Sequence, residues 1–217
     1  MITLIIFAAE MEKELEEKIR EHALKMFMQL GVRSVTMDDV ARDIAISKKT
    51  LYQFVDNKAD LVDRAFTLLV DLTIPRVREI RKARGNAIDQ MFMLDEFMCS
   101  MVESHNPAVK FQLHKYYPST WRKVEEMRFR EFMATIKANL EQGMKEGLYR
   151  AGLNAELIAY MYFGKAEIMT ETTWFPTEKF DMTEISHVSL EYHLRGICAP
   201  LGLEYLDKLI ADKKWKH

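Results

Sequence analysis

Apolar residues recur along this chain at the spacing of an α-helix. The first clear face has members at i, i+4, i+7, i+8 and i+11, and it comprises Ile19, Ala23, Met26, Phe27 and Leu30. Gly31 follows at the place where a residue in the left-handed conformation often ends a helix. No segment sustains strict alternation of apolar and polar residues, and the hairpin pairs Asn-Gly, Asp-Gly and Gly-Gly are absent. The pattern therefore predicts an all-α fold.

Helix caps and helix breakers divide this pattern into elements. The first helices are predicted at about 12–30, 37–44 and 48–54, followed by one from about 57 to 73; the expected N-caps are Thr36, Ser47 and Asp56 or Asn57. Further helices are predicted at about 87–104, 107–116, 119–146, 155–174, 183–197 and 201–213. Pro75 and the pair Gly85-Asn86 are expected to make the first breaks after this N-terminal unit.

The segment from Val35 to Phe54 carries the most information about function. Two short predicted helices are joined there by a tight turn, and the apolar residues spaced to pack them together are Val40, Ala41, Ile44, Ile46 and Leu51. The second helix is predicted to present on its outer side Lys48, Lys49, Thr50, Tyr52 and Gln53. In a major groove, ammonium groups suit phosphates or guanine, glutamine suits adenine, and a threonine methyl suits thymine. The segment therefore predicts a helix-turn-helix.

The charge of this segment leaves a second interpretation open. Between Gly31 and Lys58 there are five basic and four acidic residues, which gives a net charge of +1. A strongly basic surface is the usual electrostatic sign of a nucleic-acid site, and this segment has only a local one. A capped helical hairpin with solvated lysines is therefore the alternative to DNA binding.

A specific run of residues in this segment resembles the TetR (tetracycline-repressor) family of bacterial transcriptional regulators. The run is Thr36-x-x-x-Val40-Ala41, followed by Ile46-Ser47-Lys48-Lys49-Thr50-Leu51-Tyr52-x-x-x-x-Asn57-Lys58-x-x-Leu61. The resemblance covers about 50 residues, and over the rest of the chain it extends only to helical character and length. It implies a helix-turn-helix on the first three helices, a ligand-binding C-terminal body and a homodimer.

The resemblance also implies roles for single residues. Tyr52 and Lys58 would hold phosphates of the DNA backbone, and Thr36 would cap its helix and touch the backbone. Bases or nearby phosphates would be faced by Lys48, Lys49, Thr50 and Gln53. The chain departs from the family pattern at Ala45, where the turn usually has glycine, and at Val55, where phenylalanine is commoner. Ala45 must then adopt an allowed φ or be strained.

Composition excludes several classes of protein. Hydrophobic residues make up 48% of the 217 residues and charged residues 29%, so a largely disordered chain is not expected. The net charge of −2 excludes a polycation that coats nucleic acid. No stretch reaches the roughly 18 to 20 apolar residues that span a bilayer. The sparse cysteines fit a reducing cytosol, and a cytoplasmic protein is expected. The apolar residues 1–9 are expected to be an upstream extension of a chain that begins near Met11, with a packing or membrane-touching role as the alternative.

Neither a metal nor another cofactor is expected from the sequence. Cys99 and Cys198 are too few and too far apart for a disulfide framework or a cysteine-only zinc site. Four histidines show no ligand spacing; they are His105, His114, His187 and His193. No nucleophile–base pair or phosphate-binding loop is recognisable, so the chain is not expected to be an enzyme.

The C-terminal part is rich in methionine and aromatic residues, which suit both a core and an adaptable apolar pocket. An effector pocket is predicted among Met98, Phe111, His114, Tyr117, Trp121, Tyr160 and Phe163, with His105 and Glu167 as further polar groups near it. Wide apolar faces at 156–174 and 184–197 predict a four-helix dimer seam, and packing within one chain is the competing interpretation.

Together these observations predict an all-α chain with two domains. Residues 11–60 are expected to form a three-helix, helix-turn-helix DNA-binding unit, and residues 61–217 a helical ligand-binding and dimerisation domain. The predicted function is that of a homodimeric transcriptional regulator, a repressor that a small apolar effector releases from a pseudo-palindromic operator. The alternatives are a DNA-binding regulator controlled by a protein partner and, less favoured by the residues, an all-α enzyme.

Overall fold

The computed structural model describes residues 2–102, 106, 108–169, 175 and 179–213. Within these ranges the chain forms α1 (Ile2–Leu30), α2 (Met37–Asp43), α3 (Lys48–Leu51), α4 (Lys58–Lys82), α5 (Ala87–Val102), α6 (Ala108–Tyr116), α7 (Pro118–Lys145), α8 (Ala155–Met169), α9 (Met182–Ile197) and α10 (Pro200–Lys213). The only extended pairing in the described residues is an isolated antiparallel bridge between Tyr149 and Cys198. The all-α prediction is confirmed.

Helices α1 and α4 are both longer than predicted. Helix α1 begins at Ile2 rather than near Glu12, because residues such as Ala8 and Ala9 favour helix and extend one that has already formed. Helix α4 continues through Pro75 to Lys82. Proline removes one backbone hydrogen bond there, but Val77 and Ile80 beyond it are buried, and their packing offsets the loss.

Helix α3 is shorter than predicted and ends at Leu51 instead of Phe54. The next residues continue as a tighter turn, in which the amide of Gln53 donates to the carbonyl of Thr50 and that of Phe54 donates to Leu51. The predicted ends of two later helices, at 103–104 and 170–174, and His105 lie outside the described residues.

The chain divides into two compact units. The first comprises residues 1–73 and 104–128, and the second comprises residues 74–103 and 129–217. Helices α4 and α7 each contribute residues to both units. The boundary expected between residues 60 and 61 lies within α4, and the two domains 11–60 and 61–217 stay a prediction.

The first unit has its own apolar core. Fully buried side chains from α1, α2, α3 and α4 meet there, among them Ile19, Phe27, Val40, Leu51, Leu61 and Phe66. The rings of Phe27 and Phe66 stack with centroids 6.3 Å apart. Val109 and Leu113 of α6 complete this core. The short helices α2 and α3 are therefore fixed mainly by the apolar side chains that they bury, since helices of this length are not stable alone.

The second unit has a separate core made by α5, α7, α8, α9 and α10. Its largest fully buried side chains are Ile88, Met91, Phe92, Ile136, Leu140, Tyr149 and Leu190. Two polar side chains in this core form a hydrogen-bonded chain: the hydroxyl of Tyr149 donates to Asn139, whose side-chain amide donates to the carbonyl of Ala87. Such satisfied buried groups fix one arrangement of the helices.

Candidate DNA-binding site

Thr36 is the N-cap of helix α2, as predicted, and the structure adds that the cap is reciprocal. The hydroxyl oxygen of Thr36 accepts a hydrogen bond from the amide of Asp39, and the carboxylate of Asp39 accepts from the amide of Thr36 at 2.9 Å and from its hydroxyl at 2.7 Å. The hydrogen bond from the Thr36 hydroxyl is the main reason why the pKa of Asp39 lies below its usual value. Asp39 is therefore an anion that serves the cap.

The turn between α2 and α3 closes on Ala45. This residue has φ +57° and is the only non-glycine residue with positive φ among those described. The amide of Ile46 donates to the carbonyl of Ala41 at 2.9 Å, and the amide of Ala45 donates to that of Arg42 at 3.1 Å. These two bonds are the Schellman pattern that ends a helix and turns the chain. Alanine thus adopts here the conformation that usually favours glycine.

Helix α3 is placed by one cap and one buried side chain. The hydroxyl oxygen of Ser47 accepts from the amide of Thr50 at 3.0 Å, which confirms the predicted cap. Leu51 is fully buried against the core that also contains Val40 and Ala41 of α2. Because one face of α3 is held in this way, its other side is presented to solvent.

Five of the seven predicted DNA-contacting residues are exposed to solvent. Exposed side chains at or just after α3 are Lys48, Lys49, Tyr52 and Gln53, and Thr36 is exposed at the start of α2. Thr50 is half-buried, and its hydroxyl is 2.7 Å from that of Ser47. Lys58, at the start of α4, is also half-buried. All seven belong to the first compact unit.

Two of the lysines bind groups of the protein itself. The ammonium of Lys48 lies 3.0 Å from Asp38 Oδ1, and its hydrogen bond to Asp38 raises the pKa of Lys48. The ammonium of Lys58 donates to the carbonyl of Arg33 at 3.3 Å. Burial and the nearby Arg33 lower the pKa of Lys58. An exposed ion pair such as Lys48–Asp38 is weak, so it does not prevent the ammonium from taking another anionic partner.

Asp38 and Arg33 are part of the same surface, because they contact Lys48 and Lys58, although neither was predicted to contribute to it. The guanidinium of Arg33 lies over the ring of Tyr116, 4.7 Å from its centroid, and donates to the Tyr116 hydroxyl at 3.0 Å. The side-chain carbonyl of Gln112 accepts from the amide of Arg33 at 2.9 Å. Helix α6 therefore fixes the loop that precedes α2. The partners lie about 80 residues apart in sequence, so no local pattern indicated them.

The residues of the predicted effector pocket are divided between the two units. Phe111, His114, Tyr117 and Trp121 belong to the first unit, where Tyr117 and Trp121 pack against its core and the other two are exposed. Met98, Tyr160 and Phe163 belong to the second unit. There Phe163 packs its ring edge-on against Phe129 and Phe132, while Met98 and Tyr160 are exposed. The predicted pocket stays a prediction.

A small hollow in the second unit has a volume of about 10 Å³ and is lined mainly by α4, α5 and α7; the lining residues are Ile80, Arg81, Gln90, Met91, Leu94, Thr135 and Asn139. This is room for about one water molecule. It is far below the roughly 300–1,000 Å³ of pockets that hold organic ligands.

Helices α8 and α9 each have one buried and one exposed apolar face. Ile185, Leu190 and Leu194 of α9 and Ala159 of α8 are buried in the core of the second unit. Large apolar side chains on the outside are Leu157, Met161, Ile168, Val188 and Tyr192, of which Tyr192 is 80% exposed. The predicted wide faces thus supply the core of the second unit on one side and an uncovered apolar surface on the other.

No helix within the described residues combines the length and apolar character needed to cross a bilayer.

Comparisons with known proteins relate the chain to bacterial transcriptional regulators. A family model described as bacterial regulatory proteins, tetR family, matches residues 19–65, which include α2 and α3. The fatty acid metabolism regulator protein of Bacillus subtilis is 22% identical over 184 residues, covering 83% of this chain and 94% of the relative. The HTH-type transcriptional repressor KstR2 of Mycobacterium tuberculosis is 26% identical over 166 residues, covering 72% of this chain and 76% of the relative.

A solved structure supports the same fold over most of the chain. It is the crystal structure of the transcriptional regulator FadR from Bacillus subtilis in complex with stearoyl-CoA. It matches this chain with a TM-score of 0.66 at 20% identity, covering 83% of this chain and 98% of that one. The similarity therefore extends beyond the helix-turn-helix into the helices of the C-terminal part.

Proposed function

Because the chain belongs to the TetR family of bacterial regulatory proteins, we propose that it is a sequence-specific DNA-binding transcriptional repressor that a small apolar effector releases from its operator. The proposal rests on the side chains that α3 and the turn after it expose to solvent. An exposed amide, Gln53, lies there beside the exposed ammonium groups of Lys48 and Lys49. These are the groups that read base edges and bind phosphates in a major groove.

The repressor acts as a homodimer in this proposal. The uncovered apolar side chains of α8 and α9 are the kind of surface that stable dimers bury. Two copies related by a two-fold axis would place two α3 helices on two half-sites, and the operator would be pseudo-palindromic. A protein that binds chromosomal DNA in this way acts in the cytoplasm.

The effector is proposed to be a mainly apolar molecule such as a long-chain acyl thioester. Support comes from the fatty acid metabolism regulator protein of Bacillus subtilis and from the structure of FadR of the same organism, which was crystallised with stearoyl-CoA. The hollow of about 10 Å³ in the second unit is too small for such a ligand, so binding at that place would require helices to move apart. A ligand that binds only the moved arrangement shifts the population towards it, which is how it would change DNA affinity.

Selection of genomic DNA fragments by the purified, full-length protein tests DNA binding. We expect enrichment of a two-fold sequence whose half-site centres lie about 34 Å apart or at a multiple of that distance. A variant with both Lys49→Ala and Gln53→Ala serves as the control, since it alters the exposed surface without touching a buried residue. Failure of the wild-type protein to enrich any sequence would contradict the proposal.

Titration of the selected operator in the presence of acyl-CoAs of increasing chain length tests the effector. We expect the long chains to lower operator affinity about 5- to 150-fold, which corresponds to the usual range of coupling energies. Coenzyme A without an acyl chain is the control and should have little effect. Unchanged operator affinity with every chain length would contradict an acyl thioester effector and leave DNA binding untouched.

A further inference from the structure

Three side chains with metal-binding atoms come together where α5 packs against α9 in the second unit. Asp95 and Cys99 are one turn apart on the same face of α5, and His187 belongs to α9. Their ligand atoms, a carboxylate oxygen, a sulfur and a ring nitrogen, all lie within 4.8 Å of one another. The distance from Asp95 Oδ2 to His187 Nε2 is 3.8 Å. The three ligand atoms therefore form one cluster.

The buried carboxylate of Asp95 has one oxygen without a hydrogen-bond donor. Asp95 is only 7% exposed, and its Oδ1 accepts a hydrogen bond from the hydroxyl of Ser186. Its Oδ2, which faces His187, has no hydrogen-bond partner. A buried anionic oxygen is costly unless a donor or a cation compensates it. This oxygen therefore has room for a hydrogen-bond donor or a bound cation.

Among the described residues, Lys165 is a further cation close enough to influence Asp95, but its ammonium contacts other groups. Its ammonium donates to the carbonyl of Ser189 at 2.8 Å and lies 4.4 Å from the centroid of the Tyr162 ring. Lys165 therefore lends Asp95 some long-range attraction without satisfying Oδ2. The hydroxyl of Ser186 orients the carboxylate from outside, as groups next to metal ligands commonly do.

We propose that Asp95, Cys99 and His187 bind one divalent transition-metal ion of the zinc class. Oxygen, sulfur and imidazole nitrogen are the ligands that Zn²⁺ and Co²⁺ accept together in tetrahedral sites. Ordinary bond lengths place such ligand atoms about 3.4–3.6 Å apart, so small side-chain rotations close the observed cluster around an ion. The thiol proton of Cys99 leaves to solvent when the sulfur binds, and water takes the fourth position.

This inference goes beyond the proposed repressor function and does not depend on it, because metal binding is measured without DNA. Tag-free, full-length protein is treated with a chelator, dialysed and titrated with Co²⁺. We expect one Co²⁺ per chain, with a thiolate-to-cobalt charge-transfer absorption that Zn²⁺ abolishes by displacement. Absence of this absorption at saturating Co²⁺ would overturn the proposal.

The two cysteines of the chain provide a matched pair of variants. Cys99→Ser should remove the charge-transfer absorption, while Cys198→Ser, which alters a buried thiol in another part of the same unit, should retain it. His187→Gln should weaken Co²⁺ binding by about tenfold or more, since it removes a direct ligand. Circular dichroism establishes that each variant is folded. Charge-transfer absorption that persists in folded Cys99→Ser, or that disappears in folded Cys198→Ser, would place the ion elsewhere and overturn the site.

Discussion

Ala45 holds a left-handed conformation in the turn of the helix-turn-helix, with φ +57°. This conformation costs an L-residue about 1–2 kcal/mol, whereas glycine adopts it freely but loses more backbone entropy on folding. We expect Ala45→Gly to raise the free energy of unfolding by about 0.5–1 kcal/mol. Urea denaturation followed by circular dichroism measures the change.

A second alanine-to-glycine change separates this effect from the general cost of glycine. Ala134 is exposed in the interior of α7, where glycine should lower the free energy of unfolding by about 1 kcal/mol. If Ala45→Gly destabilises the protein as much as Ala134→Gly does, the turn is not strained at Ala45.

Gln53 and Lys58 should affect DNA binding in different ways. Gln53 is exposed beside α3 and is proposed to face a base. Gln53→Ala should therefore reduce the difference in binding free energy between the preferred base and the other bases at one operator position by about 1–3 kcal/mol. Lys58 is proposed to hold a phosphate, so Lys58→Ala should weaken binding to all sequences alike and reduce the salt slope by about one. Operator titrations at several salt concentrations distinguish the two.

Lys82 offers a control for the lysine substitution, because it is the last residue of the helix that Lys58 begins. Lys82→Ala should leave DNA affinity and its salt slope unchanged. If the salt slope is the same in Lys58→Ala as in the wild-type protein, the wild-type Lys58 ammonium does not bind phosphate. It then keeps its hydrogen bond to the Arg33 carbonyl when DNA is bound.

Among the helices, the end of α7 depends on a close approach that only glycine permits. A Cβ added at Gly143 would lie 2.1 Å from the ring of Tyr149, which is fully buried and hydrogen-bonded to Asn139. We expect Gly143→Ala to lower the free energy of unfolding by about 1–3 kcal/mol or more, because the ring has no room to retreat. Thermal and urea denaturation measure this loss.

Gly196 provides the matched substitution near the end of another helix. A Cβ there meets nothing within 4 Å, so Gly196→Ala should be neutral or stabilise the protein by up to about 1 kcal/mol. Equal stability of the two alanine variants would show that the Tyr149 ring moves aside without cost.

The elements themselves differ in how well the sequence predicted them. Caps at Thr36 and Ser47 were predicted because capping depends on residues three positions apart. The continuation of α4 through Pro75 was missed, because it depends on burial of Val77 and Ile80, which no local pattern around the proline indicates. Local rules therefore located the capped helix starts, and they failed where packing far along the chain extends a helix.

For the whole molecule, the central prediction concerns the uncovered apolar surface of α8 and α9. Val188 is 48% exposed in the single chain. In the proposed dimer it would be buried, so Val188→Glu would place an unpaired charge in the seam. We expect this variant to be monomeric in sedimentation analysis at micromolar concentration and to lose operator binding, because a single half-site is weak.

Leu72→Glu is the control for this substitution, since Leu72 is also exposed, at 59%, but belongs to the first unit. This variant should remain dimeric. If wild-type protein itself sediments as a monomer at micromolar concentration, the dimer seam is contradicted, whatever the variants do.

The sequence by itself determined the all-α fold and the position of the helix-turn-helix. Both depend on interactions between residues close together in the chain: apolar spacing along one face, a cap three residues from its amide, and a short turn at Ala45. The residues that line the outer side of α3 follow from the same helical periodicity. For that reason Lys48, Lys49 and Gln53 could be proposed as DNA contacts before the structure was known.

Only the tertiary structure decided which distant side chains meet. It brought His187 to Asp95 and Cys99 across about 90 residues of sequence, and it placed Arg33 against Tyr116. It also decided which apolar residues of α8 and α9 enter the core and which remain outside, although both faces look alike in the sequence. The physical reason is that packing of separate helices is a property of the whole chain, whereas caps and periodicity depend only on residues within a few turns of each other.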